Sequence, residues 1–160
     1  MKNKDILDLS SALESITTEG CNAKFKYAIA MNKKIIESRV AILRDTLKPS
    51  DEYIRLENER LTICNRYCER DENSNPVMSN GSFVMKSETK EQSDKEIGDF
   101  MEKNKNSYDN EIAKSQDITS LLDEETTIDL YKININFVPD AIKQAEMDIL
   151  TKVGIIIQEQ

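Results

Sequence analysis

Cys64 and Cys68 stand four residues apart, a spacing that puts two thiols on one helix face and could offer two thiolates to one metal ion. Two further ligands would be needed. Cys21 is the one other thiol and the chain contains no histidine, so the pair reads as core or half-buried side chains instead. The missing histidine also removes the commonest general base, the Ser-His-Asp arrangement and most zinc and iron sites. Carboxylates are abundant, and two clusters come into question, Asp71 with Glu72 and Asp123-Glu124-Glu125. Neither has the ordered ligand spacing of a calcium loop, and both read as solvated acidic turns. Gly20, Gly81, Gly98 and Gly154 are scattered singly, so there is no phosphate-cradling loop and no dinucleotide fingerprint. No catalytic residue, no metal ligand and no cofactor is expected.

The remaining candidate is a surface. Lys24, Lys26, Lys33, Lys34, Arg39, Arg44 and Lys48 lie in one segment whose only acidic residues are Glu37 and Asp45. The formal net charge is −8, yet residues 1–70 hold 13 basic against 11 acidic side chains, while residues 71–160 hold 9 against 19. Such asymmetry can serve a partner, hold two parts of one protein together, or simply solvate a helix. Nucleic acid is disfavoured as that partner, because only Phe25 and Tyr27 are aromatic nearby and no reader motif is present. No window approaches the ~18 uninterrupted apolar residues of a membrane span. Lys2 and Lys4 precede no long apolar run, so no signal peptide is expected. Three cysteines without a secretory context suit a reducing cytosol.

The elements that must carry these residues follow from periodicity. Ile6, Leu9, Leu13 and Ile16 predict a first helix from Asp5 to Thr17, closed by Glu19-Gly20. Asn22 caps a long second helix, Ala23 to Leu47, with Phe25, Ile29, Ile36, Val40, Leu43 and Leu47 on one stripe. Asn32 interrupts that stripe, as a register-fixing polar residue would. Pro49 stops the helix, and Ser50 starts a third that runs to about Glu69, with Tyr53, Ile54, Leu61, Cys64, Tyr67 and Cys68 as its apolar face. The short connection favours an antiparallel hairpin of the second and third helices, with one continuous kinked helix as the alternative.

Asn80-Gly81 predicts a type I′ hairpin between Val77-Met78 and Phe83-Val84-Met85. Ser93 and Glu96 read as the capping box of a fourth helix, with Ile97, Phe100, Met101, Tyr108 and Ile112 along one face. The polar stretch from Ser115 to Thr127 reads as a loop. Ile128, Leu130, Ile133, Ile135 and Phe137 alternate like a strand, with a slip at Tyr131-Lys132 that suggests a bulge. Pro139-Asp140 opens a last helix to about Lys152, Gly154 closes it, and Ile155-Ile156-Ile157 packs or pairs. The expected fold class is α+β and mostly helical, one domain over 1–160. Residues 1–70 form a helical hairpin or bundle, 71–160 a small sheet with two short helices, and 85–92 a soft linker.

Laid out this way, the chain resembles a family of small uncharacterised phage and prophage proteins. The resemblance lies in the basic helix from Phe25 to Leu47, in the turn Asp71-Glu72-Asn73-Ser74-Asn75-Pro76-Val77, and in Thr127-Ile128-Asp129-Leu130-Tyr131-Lys132-Ile133 followed by Pro139-Asp140. Where that family carries glycine in the turn, this chain has Ser74. The resemblance implies a viral origin and brings no catalytic residues with it.

These readings converge on a non-catalytic, phage-encoded interaction protein in the host cytoplasm, for example an inhibitor of a host or defence enzyme, with a protein partner from host or phage. The alternatives are a minor virion or morphogenesis protein that self-associates, and a sponge for a small signalling nucleotide. The stripe on the second helix is the feature most open to test. Ile36→Asp places an unpaired charge among apolar neighbours and should cost about 3–5 kcal/mol in a denaturant titration.

Overall fold

A computed structural model describes residues 1–158. The chain is a mostly helical α+β protein, with helices α1 (Asn3–Ser15), α2 (Ala23–Thr46), α3 (Asp51–Tyr67), α4 (Lys90–Lys103), α5 (Lys105–Asp123) and α6 (Gln144–Lys152). Strands β1 (Met78–Ser79) and β2 (Ser82–Phe83) pair antiparallel, and β3 (Ile133–Asn134) pairs parallel with β4 (Ile156–Ile157). None of the helices is long and apolar enough to cross a membrane, among the described residues. Two compact units emerge, one from residues 1–48 with 117–160 and one from residues 49–116. The division therefore falls at Pro49 and inside α5, not near residue 70.

The first unit holds the main core. Ile6, Leu9 and Leu13 of α1 meet Phe25, Ile29, Ile36, Val40 and Leu43 of α2, and Leu130, Ile133, Leu150, Ile155 and Ile156 close over them. The predicted stripe of α2 is thus its buried face, with Leu47 half-buried at the end and Ile42 exposed. Asn22 caps the helix by accepting from the Phe25 amide at 2.9 Å. The partner of α2 is α1, which also packs on α6. Asp5 fastens α1 to α6, its Oδ1 accepting from Lys152 Nζ at 2.7 Å and its Oδ2 from the Lys2 amide at 2.7 Å. The Lys152 hydrogen bond holds the Asp5 carboxyl below its ordinary range despite burial. Gly154, at φ +78, ends α6 and lets the Ile155 amide reach back to the Leu150 carbonyl.

Asn32 is fully buried, and it solves the problem its burial creates. Its Nδ2 donates to the carbonyls of Ala28 (3.0 Å) and Tyr131 (2.9 Å), and its Oδ1 accepts from the Tyr131 amide (2.8 Å). The side chain amide thereby pairs with the backbone of residue 131 as a neighbouring strand would. This falls at the predicted slip. Leu130 and Ile133 are buried on either side of exposed Tyr131 and Lys132, so the bulge position is the one that Asn32 holds. The long strand expected over 128–137 shrinks to β3, since residues 135–137 form a 3-10 turn.

The second unit is built from α3 and α4. Of the expected face of α3, Cys64, Tyr67 and Cys68 are buried, whereas Ile54 and Leu61 are exposed, and Leu56 and Ile63 take their place in the core. Ser50 caps α3 by accepting from the Tyr53 amide at 3.2 Å. Asn80 (φ +49) and Gly81 (φ +78) make the predicted hairpin turn. In the preceding turn Ser74 sits at φ +65, a left-handed position that costs a residue with a Cβ about 1 kcal/mol.

Three expectations for 85–127 are corrected. Residues 85–92 are not a soft linker: Met85 bridges to Cys68, Ser87–Thr89 makes a 3-10 turn, and α4 starts at Lys90. Ser93 and Glu96 are no capping box, because both lie inside α4. Ser93 is buried and donates to the Lys90 carbonyl, while Glu96 accepts from the Tyr67 hydroxyl at 2.5 Å and from Arg66 at 2.7 Å. The segment 115–123 is helix, not loop, and a break at Asn104 separates α4 from α5. At that break the Phe100 carbonyl accepts both the Asn104 amide at 3.2 Å and Asn104 Nδ2 at 2.8 Å.

Asn32→Leu keeps the volume but leaves the amide and carbonyl of Tyr131 without their partner. It should lower stability by about 2–4 kcal/mol. Asn32→Asp should be at least as damaging, since a carboxylate cannot donate to Tyr131 and buries a charge. Urea titrations of both variants check this.

Candidate functional site

The side chains of the basic segment have different surroundings. Lys24 lies over the Phe137 ring, 3.9 Å from its centroid, and Arg39 donates to the Thr126 hydroxyl. Both side chains thus tie α2 to the segment that follows α5. Arg44 donates to Glu14 Oε1 at 3.1 Å and lies 3.4 Å from the Ser10 hydroxyl, which joins α2 to α1. The Arg44 hydrogen bond, with that from Ser10, draws the Glu14 carboxyl below its ordinary range. Lys48 pairs with Asp45 at 2.9 Å, three residues away on the same chain segment. Lys26, Lys33 and Lys34 form no ion pair among the described residues.

Lys33 and Lys34 stand on the rim of a groove. It runs between α1 and α2 with a volume of ≈ 590 Å³. Its floor is made by Leu13, Ile36 and Val40, which are buried core side chains and expose almost no apolar surface to it. Ala30 and Ala41 are exposed along it and keep it open, since neither side chain extends beyond Cβ. Ser10, Glu14, Lys33, Lys34, Glu37 and Arg44 supply the polar rim. The helical spacing 30, 33/34, 37, 41, 44 puts all of these α2 positions on one face, next to the buried stripe. Sequence reasoning found the charges of this groove but not its floor. The signal it could have used is the pair Ala30 and Ala41, two small residues three turns apart on the basic face.

The other polar clusters satisfy themselves. In the second unit Glu57 accepts from Arg60 (2.8 Å) and from the Tyr108 hydroxyl (2.9 Å), and Tyr53 meets the Tyr108 ring edge to face. Arg60 holds the Glu57 carboxyl below its usual range, and burial together with Glu57 pushes Tyr108 up to about 12. An acid so strengthened is a weak base and a phenol so shifted is a poor proton donor, so the triad ties α3 to α5 and is badly tuned for proton transfer. Cys64 and Cys68 are buried and form no disulfide, and Cys68 Sγ lies 3.3 Å from the Asn65 carbonyl. Asp71 closes its own turn, accepting from the amides of Asn73 and Asn75. Asp123 binds Lys2 (3.1 Å) and Lys4 (2.7 Å). No group of three or more Cys, Asp and Glu converges as a metal site among the described residues.

No protein-family model, curated protein or solved structure matches this chain.

The division of the basic residues has a direct test in stability. Replacing Lys33 and Lys34 together by Gln, which adds no charge beside Glu14 and Glu37, should leave the melting temperature nearly unchanged. Lys24→Ala and Arg39→Ala should each cost about 0.5–1 kcal/mol, through the lost ring contact and the lost hydrogen bond. Thermal melts of the three variants beside the parent protein decide it.

Proposed function

We propose that the chain is a phage-encoded, non-catalytic interaction protein that works in the host cell, for example by inhibiting a host or defence enzyme, and that it meets its protein partner at the α1–α2 groove. The observation that carries this reading is the pair Lys33 and Lys34, exposed without a close ion pair on the rim of the α1–α2 groove. Exposed charge beside a groove steers the encounter with a partner and rejects wrong ones. Arg39, Lys24 and Arg44 are occupied by intramolecular bonds and contribute less. The viral origin rests on the sequence resemblance around Phe25–Leu47, residues 71–77 and residues 127–133.

Affinity capture of the tagged protein from infected cells tests the reading. The wild-type chain should retain a protein that the Lys33→Glu/Lys34→Glu variant loses, with both baits equally folded by circular dichroism. The retained complex should weaken as salt rises from about 0.05 to 0.5 M, because surface charges are screened over that range. A partner held equally by both baits would move the site elsewhere.

A further inference from the structure

We infer that residues 127–132 form a flap, clamped at both ends and latched in the middle by Asn32, which swings off α2 while the rest of the first unit stays folded. The clamps rest mainly on backbone bonds. Before the flap, the Thr126 amide donates to the Met1 carbonyl at 2.8 Å, and Arg39 donates to the Thr126 hydroxyl. After it, the Ile133 amide donates to the Ile155 carbonyl at 2.8 Å, within the β3–β4 pairing. Between the clamps the chain has neither helix nor strand. Among the described residues, Tyr131 is the one member of 127–132 whose backbone is hydrogen-bonded. Both of its bonds, at 2.8 and 2.9 Å, go to the Asn32 side chain.

Side-chain packing holds the flap as sparsely. Leu130 is its one buried side chain and Ile128 is half-buried, while Thr127, Asp129, Tyr131 and Lys132 are exposed. The Tyr131 ring meets Tyr27 edge to face, with 5.3 Å between centroids, and both rings stay exposed in that contact. Few buried apolar contacts and few backbone bonds put a segment at the low end of local stability. The helices beneath stand at the other end, since Ile6, Leu9, Phe25 and Ile36 are all buried within bonded helical backbone.

Asn32 suits a latch that must release. An apolar side chain there would hold the flap by burial, and opening would expose it to water at a cost. The amide instead exchanges its two bonds to Tyr131 for bonds to water, and its third, to the Ala28 carbonyl at 3.0 Å, stays within α2. Opening therefore spares Asn32 and costs chiefly the contacts of Leu130. It uncovers a strip of α2 in which Asn32 lies between Ile29 and Ile36, one turn to either side on the same face.

Hydrogen exchange of the full-length chain, followed by NMR, tests the flap. The Tyr131 amide should exchange at least about a hundredfold faster than those of Ile36 and Ile133, at a rate insensitive to low urea, because local opening exposes little surface. Leu43→Ala, about three turns along α2 from Asn32, should speed Ile36 at least about tenfold and leave Tyr131 unchanged. Thiol labelling reads the side chains and does not depend on that variant. Leu130→Cys should be modified at least about tenfold faster than Ile36→Cys. Tyr131 exchanging in step with Ile36 or Ile133 in either protein, or Leu130→Cys as protected as Ile36→Cys, would overturn the inference.

Discussion

Asn32 sits at 0% exposure in the middle of the longest helix, where an apolar side chain would have been the simpler choice. Its amide offers one acceptor and two hydrogens, and all are used on the carbonyls of Ala28 and Tyr131 and the amide of Tyr131. A helix flank has no free backbone groups to give an adjacent extended chain, so residue 131 would otherwise be stranded beside α2. The asparagine supplies them. With Tyr131 fixed, Leu130 and Ile133 point into the core from opposite sides of the kink, the Ile133 amide reaches the Ile155 carbonyl at 2.8 Å, and β3 can pair with β4. The register of the whole carboxyl-terminal segment over α1 and α2 therefore hangs on one side chain.

Much of this was readable in the chain. The apolar stripe of α2, its Asn22 cap, the Asn80-Gly81 turn and the Gly154 stop each depend on local rules of periodicity or backbone angle, and the structure obeys them. The slip at Tyr131-Lys132 was legible too, but as a bulge in a sheet, since nothing local says that a helix side chain will take the role of the missing strand. The failures share a cause. Ser93 and Glu96 form a plausible cap until Tyr67 and Arg66 recruit Glu96 from another helix. The polar end of α5 has no stripe to detect, yet it is fixed by bonds from far along the chain: Asn3 Nδ2 donates to the Leu121 carbonyl at 2.8 Å, and Lys2 and Lys4 reach Asp123. On α3, residues of similar polarity lie all round the helix, and only packing against α4 chooses Leu56 and Ile63 over Ile54 and Leu61.

The candidate site shows the same limit. Charge counting singled out seven basic residues, and geometry sorts them by what each touches. An aromatic ring, a hydroxyl and two carboxylates occupy Lys24, Arg39, Arg44 and Lys48. A basic patch in sequence is therefore partly an internal fastening. Lys33 and Lys34 differ because they stand on the rim of a groove whose far wall, Ser10, Leu13 and Glu14, comes from a second element, α1, whose arrival the sequence of α2 does not announce.

The discontinuity of the first unit bears on how the chain is made. Its segments 1–48 and 117–160 are separated by the 49–116 unit. On a ribosome adding about 5–20 residues per second, those intervening residues take roughly 3–14 s to synthesise. Throughout that interval α1 and α2 have emerged with Ile29, Ile36 and Val40 uncovered, waiting for Leu130, Ile133 and Leu150. The buried amide of Asn32 is wet and without Tyr131 during the same wait. The nascent first unit is thus an open half-core during translation, the state in which a holdase chaperone has most to bind, and it closes only when the last quarter of the chain arrives.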